Sequence, residues 1–148
     1  MPTIKKSALV MHSAQQMYDI VTDIESYPEF LQWCDDAQIL ESSNEAVIAK
    51  VSIRYKGINQ SFTTRNVNTH GKSIEMALSD TSETFKSLEG GWYFLPIVHD
   101  GEDACKVEFE LNFEMNNQIA ATIFKTVFSQ IVNSQVDGFV KRAQQKYN

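Results

Sequence analysis

One switch in hydrophobic period constrains this chain more than any other feature. Across Cys105-Lys106-Val107-Glu108-Phe109-Glu110-Leu111-Asn112-Phe113-Glu114-Met115, every odd position is apolar and every even position is polar. Such alternation belongs to a β-strand with one face buried and the other in water, so the acidic face must be solvated. After Asn116-Asn117 the period becomes helical. Ile119, Ile123, Phe124, Val127, Phe128, Ile131, Val132, Val136, Phe139, Val140 and Ala143 form a wide apolar stripe that reaches Tyr147. About 30 residues at 1.5 Å each make a helix of roughly 45 Å, long enough to cross a small domain. A terminal helix with so broad a stripe needs a curved sheet to receive it.

The preceding sequence supplies that sheet. Period two runs from Ala37 to Met115. Val47, Ala49, Val51, Ile53 and Tyr55 alternate with Ile48, Lys50, Ser52, Arg54 and Lys56, which gives an inner row and a basic outer row. The chain turns near Gly57, returns over Ile58 to Thr69, and continues through Ile74, Met76 and Leu78. Phe85 to Phe94 then passes Gly90-Gly91, where a bulge or sharp bend is expected to curve the sheet. His99-Asp100-Gly101-Glu102-Asp103 carries an Asp-Gly hairpin signal. At the other end, a strand over Thr3 to Met11 gives way to a helix at Ser13, where Ser13-Ala14-Gln15-Gln16 fits a capping box. Met17, Tyr18 and Val21 lie at helical spacing, and the helix should stop near Asp23 because Tyr27-Pro28 disfavours helical geometry at Tyr27. A second short helix is predicted over Pro28 to Gln32. Gly138 interrupts the long helix at a propensity cost of about 1 kcal/mol relative to alanine, for which close backbone packing or simple tolerance are the two readings.

The order is therefore strand, two short helices, about six antiparallel strands and one long helix. This is an α+β architecture: a curved antiparallel sheet of about six to seven strands wrapped around a C-terminal helix. No repeat, low-complexity tract or linker divides residues 1–148, which read as a single domain. Where sheet and helix do not fully meet, a mostly apolar cavity with a few polar groups is expected.

Composition narrows the function. At 148 residues, 43% hydrophobic and 22% charged, the chain can bury a core without staples. Its net charge of −6 argues against nonspecific coating of nucleic acid, and no DNA partner is expected, although a local basic patch is allowed. Cys34 and Cys105 lack Cys-x-x-Cys spacing and read as reduced structural thiols. The N-terminus lacks a signal-peptide core, and no run approaches the roughly 18 apolar residues of a membrane span. A cytoplasmic protein with at most peripheral membrane contact is the expectation.

Catalytic chemistry has little support. His12, His70 and His99 have no spacing that places two on one face as metal ligands, so no metal is expected. A Gly-x-Ser-x-Gly elbow, a P-loop and a dinucleotide-binding glycine pattern are all absent. Asp35-Asp36 and the Asp100/Glu102/Asp103 cluster occupy turns, where solvent keeps carboxylates from the raised pKa of a general acid. The sequence reads as that of a non-enzyme, with no catalytic residue and no required cofactor. Between Ser61 and Asn66 one strand face carries Phe62, Thr64 and Asn66 and the other Ser61, Thr63 and Arg65. If the first face looks inward, a hydroxyl and an amide line an apolar wall. If not, they sit on an edge, and period two alone does not decide.

Taken in order, Ser13-Ala14 with Met17-Tyr18, Asp23 with Tyr27-Pro28-x-Phe30-Leu31 and Trp33-Cys34, Lys56-Gly57-Ile58, and Ser61-Phe62-Thr63-Thr64-Arg65-Asn66 make up a first set of marks. Phe85-Lys86-x-Leu88, Gly91-Trp92-x-Phe94 with Pro96, Ala104-Cys105-Lys106-Val107, and Phe128 through Val136-Asp137-x-Phe139 to Arg142-Ala143 complete it. On these segments the chain resembles the START-like, helix-grip group that contains coenzyme Q-binding proteins, ribosome-association toxins and proteins labelled polyketide cyclase/dehydrase. It departs from the group at Asp80-Thr81-Ser82-Glu83-Thr84-Phe85, where a compact Asp-Gly-Pro-Phe turn is usual. The resemblance implies the helix-grip fold and two functions. The first is noncatalytic binding of ubiquinone or a related isoprenoid lipid in support of respiration. Its site would be a lid of Tyr27, Phe30, Leu31 and Trp33 over a cavity of Val51, Ile53, Phe62, Thr64, Trp92, Phe94, Phe124, Phe128 and Val132. The alternative is a ribosome-association toxin that binds the large ribosomal subunit and blocks subunit joining, with Lys50, Arg54 and Lys56 meeting phosphates.

Overall fold

The computed structural model describes residues 3–79, 85–116 and 118–147, the last segment with side chains from residue 125 onward. The departure at 80–84 and the side chain of Phe124 lie outside the described residues. Strands β1 (Thr3–Val10), β2 (Cys34–Ser42), β3 (Val47–Tyr55), β4 (Ile58–Thr69), β5 (Ser73–Leu78), β6 (Phe85–His99) and β7 (Glu102–Met115) form a seven-stranded antiparallel sheet in the order β1-β7-β6-β5-β4-β3-β2. Consecutive strands from β2 to β7 are neighbours, and β1 closes the far edge against β7. The 30-residue helix α2 (Gln118–Tyr147) packs against β1 and β7 and against the short helix α1 (Ala14–Thr22). This is the helix-grip arrangement.

Local chemistry sets the boundaries. The α1 N-terminus carries the full capping box: Gln16 N–H donates to Ser13 Oγ at 3.1 Å, and Ser13 N–H donates to Gln16 Oε1 at 2.9 Å. Two backbone donors that a helix start would leave unpaired are thereby satisfied. Lys56-Gly57 and Asp100-Gly101 take positive φ (48° and 84°, then 51° and 78°), the geometry of two-residue hairpin turns. Tyr55 consequently pairs with Ile58, and His99 with Glu102.

Two expectations need correction. The second short helix is a 3₁₀ helix over Ile24–Glu29, earlier than Pro28 to Gln32, with Pro28 inside it. Proline disfavours α geometry in the residue before it, but the loose i→i+3 pattern of a short 3₁₀ run accommodates the ring near its end. The bulge is not at Gly90-Gly91, where the ladder stays in register with Leu111 and Glu110; the register shift lies between Phe85 and Ser87. Gly90 serves close approach instead, since a Cβ there would stand 2.1 Å from the Glu110 carbonyl oxygen.

The core fills the concave side of the sheet. Val127, Phe128, Ile131, Val132, Val136, Phe139 and Ala143 of α2 are buried against the inner residues of β6 and β7. On β7, Val107, Phe109, Leu111 and Phe113 are buried while the intervening acidic residues reach solvent. Among the described residues, no helix is long and apolar enough to cross a membrane.

Candidate functional site

The inner faces of β3 to β7, the 3₁₀ helix and α2 enclose a cavity that packing does not fill. Its volume is about 80 Å³, so it is a narrow slot. Tyr27 and Trp33 form one side, and Val51, Ile53, Phe62 and Thr64 form the sheet wall. Trp92 forms the floor, and Phe128 and Val132 the roof from α2. The open question about β4 is thus resolved: Phe62, Thr64 and Asn66 face inward, and Arg65 is exposed on the outer face.

Phe94, expected on the wall, and Phe30 and Leu31, expected in the lid, do not line the cavity. Phe94 lies further along β6, edge-on to Tyr18 of α1 and stacked beside Trp92. Leu31 fills the space above Gly138, where an added Cβ would come within 2.8 Å of its Cδ2; close packing is therefore the reason for that glycine. Phe30 packs on Phe139 at 5.5 Å and lies beneath the Arg142 guanidinium, which also pairs with Glu29 at 3.4 Å. The lid is thus clamped to the helix at its outer end, while Tyr27 and Trp33 reach the cavity.

Several lining residues were not singled out from sequence, among them Met76, Leu88, Phe109, Leu111, Ile131 and Phe139. Each sits on a recognisable inner row, but alternation marks a face as inward without saying whether packing there is complete. Gln135 had a visible signal, because it lies between Val132 and Phe139 on the apolar stripe of α2 and lines the cavity.

The slot is apolar but contains unspent hydrogen-bonding groups. Trp33 is buried, and its indole Nε1 has no partner among the described residues. Thr64 Oγ1 donates to Asn66 Oδ1 at 2.9 Å, which leaves the Asn66 amide N–H groups without a protein acceptor among the described residues. An unpaired buried donor is costly, of order 1–3 kcal/mol, so the Trp33 position favours a ligand that brings an acceptor. The Tyr27 hydroxyl donates to the Val21 carbonyl, and burial, assisted by Cys34 and Asp23, holds its pKa far above the phenol range. Tyr27 therefore acts as a neutral strut. Among the described residues no group of three or more His, Cys, Asp or Glu side chains is placed to hold a metal ion.

The outer side of the same strands is different. Lys50 and Arg54 are exposed on β3, and Arg65 is exposed opposite Ile48 of that strand, all without a carboxylate partner among the described residues. Lys56 is exposed in the hairpin turn, where its Nζ donates to Gln130 Oε1 of α2 at 2.9 Å, so it leaves the outer row. The outer face over β7 carries Glu108, Glu110 and Glu114, paired in part with Lys106, Lys5 and Lys86. At the β3 end the cations share the outer face with the exposed carboxylates of Asp36 and Glu41, which pair with Ser52 and Ile48 of β3.

A curved antiparallel sheet gripping a terminal helix, with an apolar slot between them, defines a START-like protein. Solved structures agree. An aromatase/cyclase from Streptomyces sp. R1128 superposes with a TM-score of 0.85 at 12% identity, covering 99% of this chain and 96% of that one. A START superfamily protein from Mycobacterium smegmatis gives 0.79 at 19% identity, covering 97% of each. The pattern of the family described as polyketide cyclase / dehydrase and lipid transport matches residues 10–140, and the chain belongs to that family. Within it, the chain is 43% identical over 148 residues to the persistence and stress-resistance toxin PasT of Escherichia coli O6:H1, covering 100% of this chain and 90% of the toxin. It is 41% identical over 147 residues to the ribosome association toxin RatA of Vibrio cholerae, covering 99% of each. A coenzyme Q-binding protein COQ10 homolog B of Xenopus laevis is more distant, at 24% over 142 residues, covering 96% of this chain and 58% of that protein. Ribosome association, ranked second from sequence, therefore has the nearer relatives.

Proposed function

We propose that this protein is a noncatalytic ribosome-association factor of the cytoplasm that docks on the large ribosomal subunit and blocks subunit joining. The observation that carries this reading is identity above 40% over nearly the whole chain with proteins named ribosome association toxin, one of which matches at full length. Lys50, Arg54 and Arg65 support it physically, because exposed cations with no ion pair among the described residues can meet RNA phosphates. A net charge of −6 disfavours RNA contact over most of the surface, so binding would depend on these few cations. With three phosphate contacts, log K should fall with log salt at a slope of about −2 to −3.

Sedimentation of purified large and small subunits with the protein tests the proposal. Recovery with the large subunit, loss of joined ribosomes and strong salt sensitivity are expected. Equal recovery with both subunits, or none, would refute it.

A second reading is favoured by the cavity. The unpaired Trp33 Nε1 and Asn66 amide in an apolar slot suit a hydrophobic molecule with a carbonyl oxygen, such as an isoprenoid quinone, and each buried CH₂ would add about 0.8 kcal/mol. Native mass spectrometry and organic extraction of protein purified from its host should recover such a molecule in near-stoichiometric amount. An empty protein that also takes up no added quinone would end this reading.

A further inference from the structure

The exposed apolar side chains are not scattered. Leu9, Met11, Leu95, Ile97 and Val98 make up five of the eight large apolar residues left exposed among those described, and all stand at the end of the sheet where β6 turns into β7. Strand register places them together. Leu9 and Leu95 flank Lys106 in one row across β1, β7 and β6, Ile97 pairs with Ala104 in the next apolar row, and Met11 follows directly on β1. Leu9 is 76% exposed and Val98 71%. A single exposed leucine is ordinary, but a contiguous cluster of this kind marks a contact surface. Between the start of α1, residues 96–98 of β6 and the start of β7 lies an open groove of about 290 Å³, apolar except for Ser13, Gln15 and Asp103.

We propose that this end of the sheet is a docking surface for a basic protein segment that carries a large apolar anchor, supplied by a Lys- and Arg-rich protein of the large ribosomal subunit. This rests on the reading of the chain as a ribosome-association factor and adds a protein contact to it. Charge selects the occupant. Around the cluster stand Glu75, Asp100, Glu102, Asp103, Glu108 and Glu110, against Lys5, Lys72 and Lys106, while Lys6 projects to the concave side. Lys106 pairs with Glu108 at 3.2 Å, Lys5 with Glu110 at 3.9 Å, and His99 stands 3.4 Å from Asp100. Glu102 and Asp103 have no ion pair among the described residues, and with Asp100 they concentrate carboxylates at the hairpin tip. RNA phosphates are repelled from such a rim, whereas proteins that sit on RNA are rich in Lys and Arg because they neutralise phosphate. A second copy of this chain is disfavoured for the same reason, since a two-fold pairing of this end would set one acidic rim against another. The groove beside the cluster gives the partner's apolar side chain a pocket, the arrangement in which a single anchor contributes most to binding.

Sedimentation with purified large subunits tests the surface. Leu9→Ser combined with Leu95→Ser alters two exposed side chains and leaves every charge in place, so recovery should weaken about tenfold or more with the salt slope unchanged. Glu102→Lys combined with Asp103→Lys, also at exposed positions, should weaken it about tenfold or more by turning the rim against a basic partner. Circular dichroism should show both variants folded. A benzophenone photocrosslinker in place of Leu95 should join the chain to a protein of the subunit. Stronger binding by the lysine variant, crosslinking to rRNA alone, or full recovery of both variants would overturn the surface, and loss of binding in Arg54→Glu would then leave the ribosome reading standing. A wild-type dimer that the serine variant dissolves would give the surface to a second copy and overturn the proposal as well. Recovery of the wild-type chain with neither subunit, or equally with both, would remove both readings.

Discussion

Thr64 and Asn66 hold the functional question at the scale of single residues. Both are buried on β4, each spends one group on the other, and the amide left over faces the slot. Arg54, one β3 face away, has no such obligation. Arg54→Glu should therefore leave thermal stability within about 0.5 kcal/mol while reducing large-subunit binding at least tenfold and flattening its salt dependence, as sedimentation at two salt concentrations would reveal. The two thiols behave oppositely to reactive cysteines. Burial, reinforced by Asp36 and Asp35 against a weaker backbone hydrogen bond, pushes Cys34 from 9.0 to about 12, and burial pushes Cys105 to about 11. The folded protein should accordingly resist a thiol reagent at pH 8 and react fully once denatured. Because the folded pKa values are raised, the contribution to stability is complete below pH 9 and falls as the pH rises toward 11 and 12, where only the unfolded chain has already lost its protons. A denaturation series across that range would check the sign.

Among the elements, β7 and α2 were the most legible, because each carries its own period over more than ten residues and neither period fits the other structure. The capping box at Ser13 and the Asp100-Gly101 hairpin were equally plain, since both depend on chemistry within four residues. The 3₁₀ helix was misplaced because its position is set by the covering it provides between α1 and Trp33, not by a local preference. Gly90 and Gly138 show the same division: their presence was visible, but the reason for each is a neighbour distant in sequence. Gly90→Ala would drive a Cβ into the backbone of β7 and should cost about 3 kcal/mol or more in chemical denaturation. Gly138→Ala meets only the flexible end of Leu31, so its clash and its gain of about 1 kcal/mol in helix propensity should nearly cancel.

Across the whole molecule, β3 separates two surfaces. Ala49, Val51 and Ile53 line the slot, and Lys50 and Arg54 face out, so a change confined to one side should be silent on the other. Val51→Phe, which adds volume where packing is incomplete, should abolish uptake of a hydrophobic ligand, change stability by about 1 kcal/mol at most, and leave large-subunit binding intact. A loss of ribosome binding in that variant would instead reveal coupling between cavity and docking face. The sequence by itself determined the succession of strands and helices, the inward rows of β3 and β7 and the outward placing of Lys50 and Arg54, because side-chain period and turn chemistry act over a few residues. Only the tertiary structure decided that Phe62, Thr64 and Asn66 face the slot, that Phe94 and Leu31 belong to solid core, and that Trp33 keeps an unpaired donor. These depend on how far the curved sheet closes on α2, and that distance is fixed by packing between residues far apart in the chain.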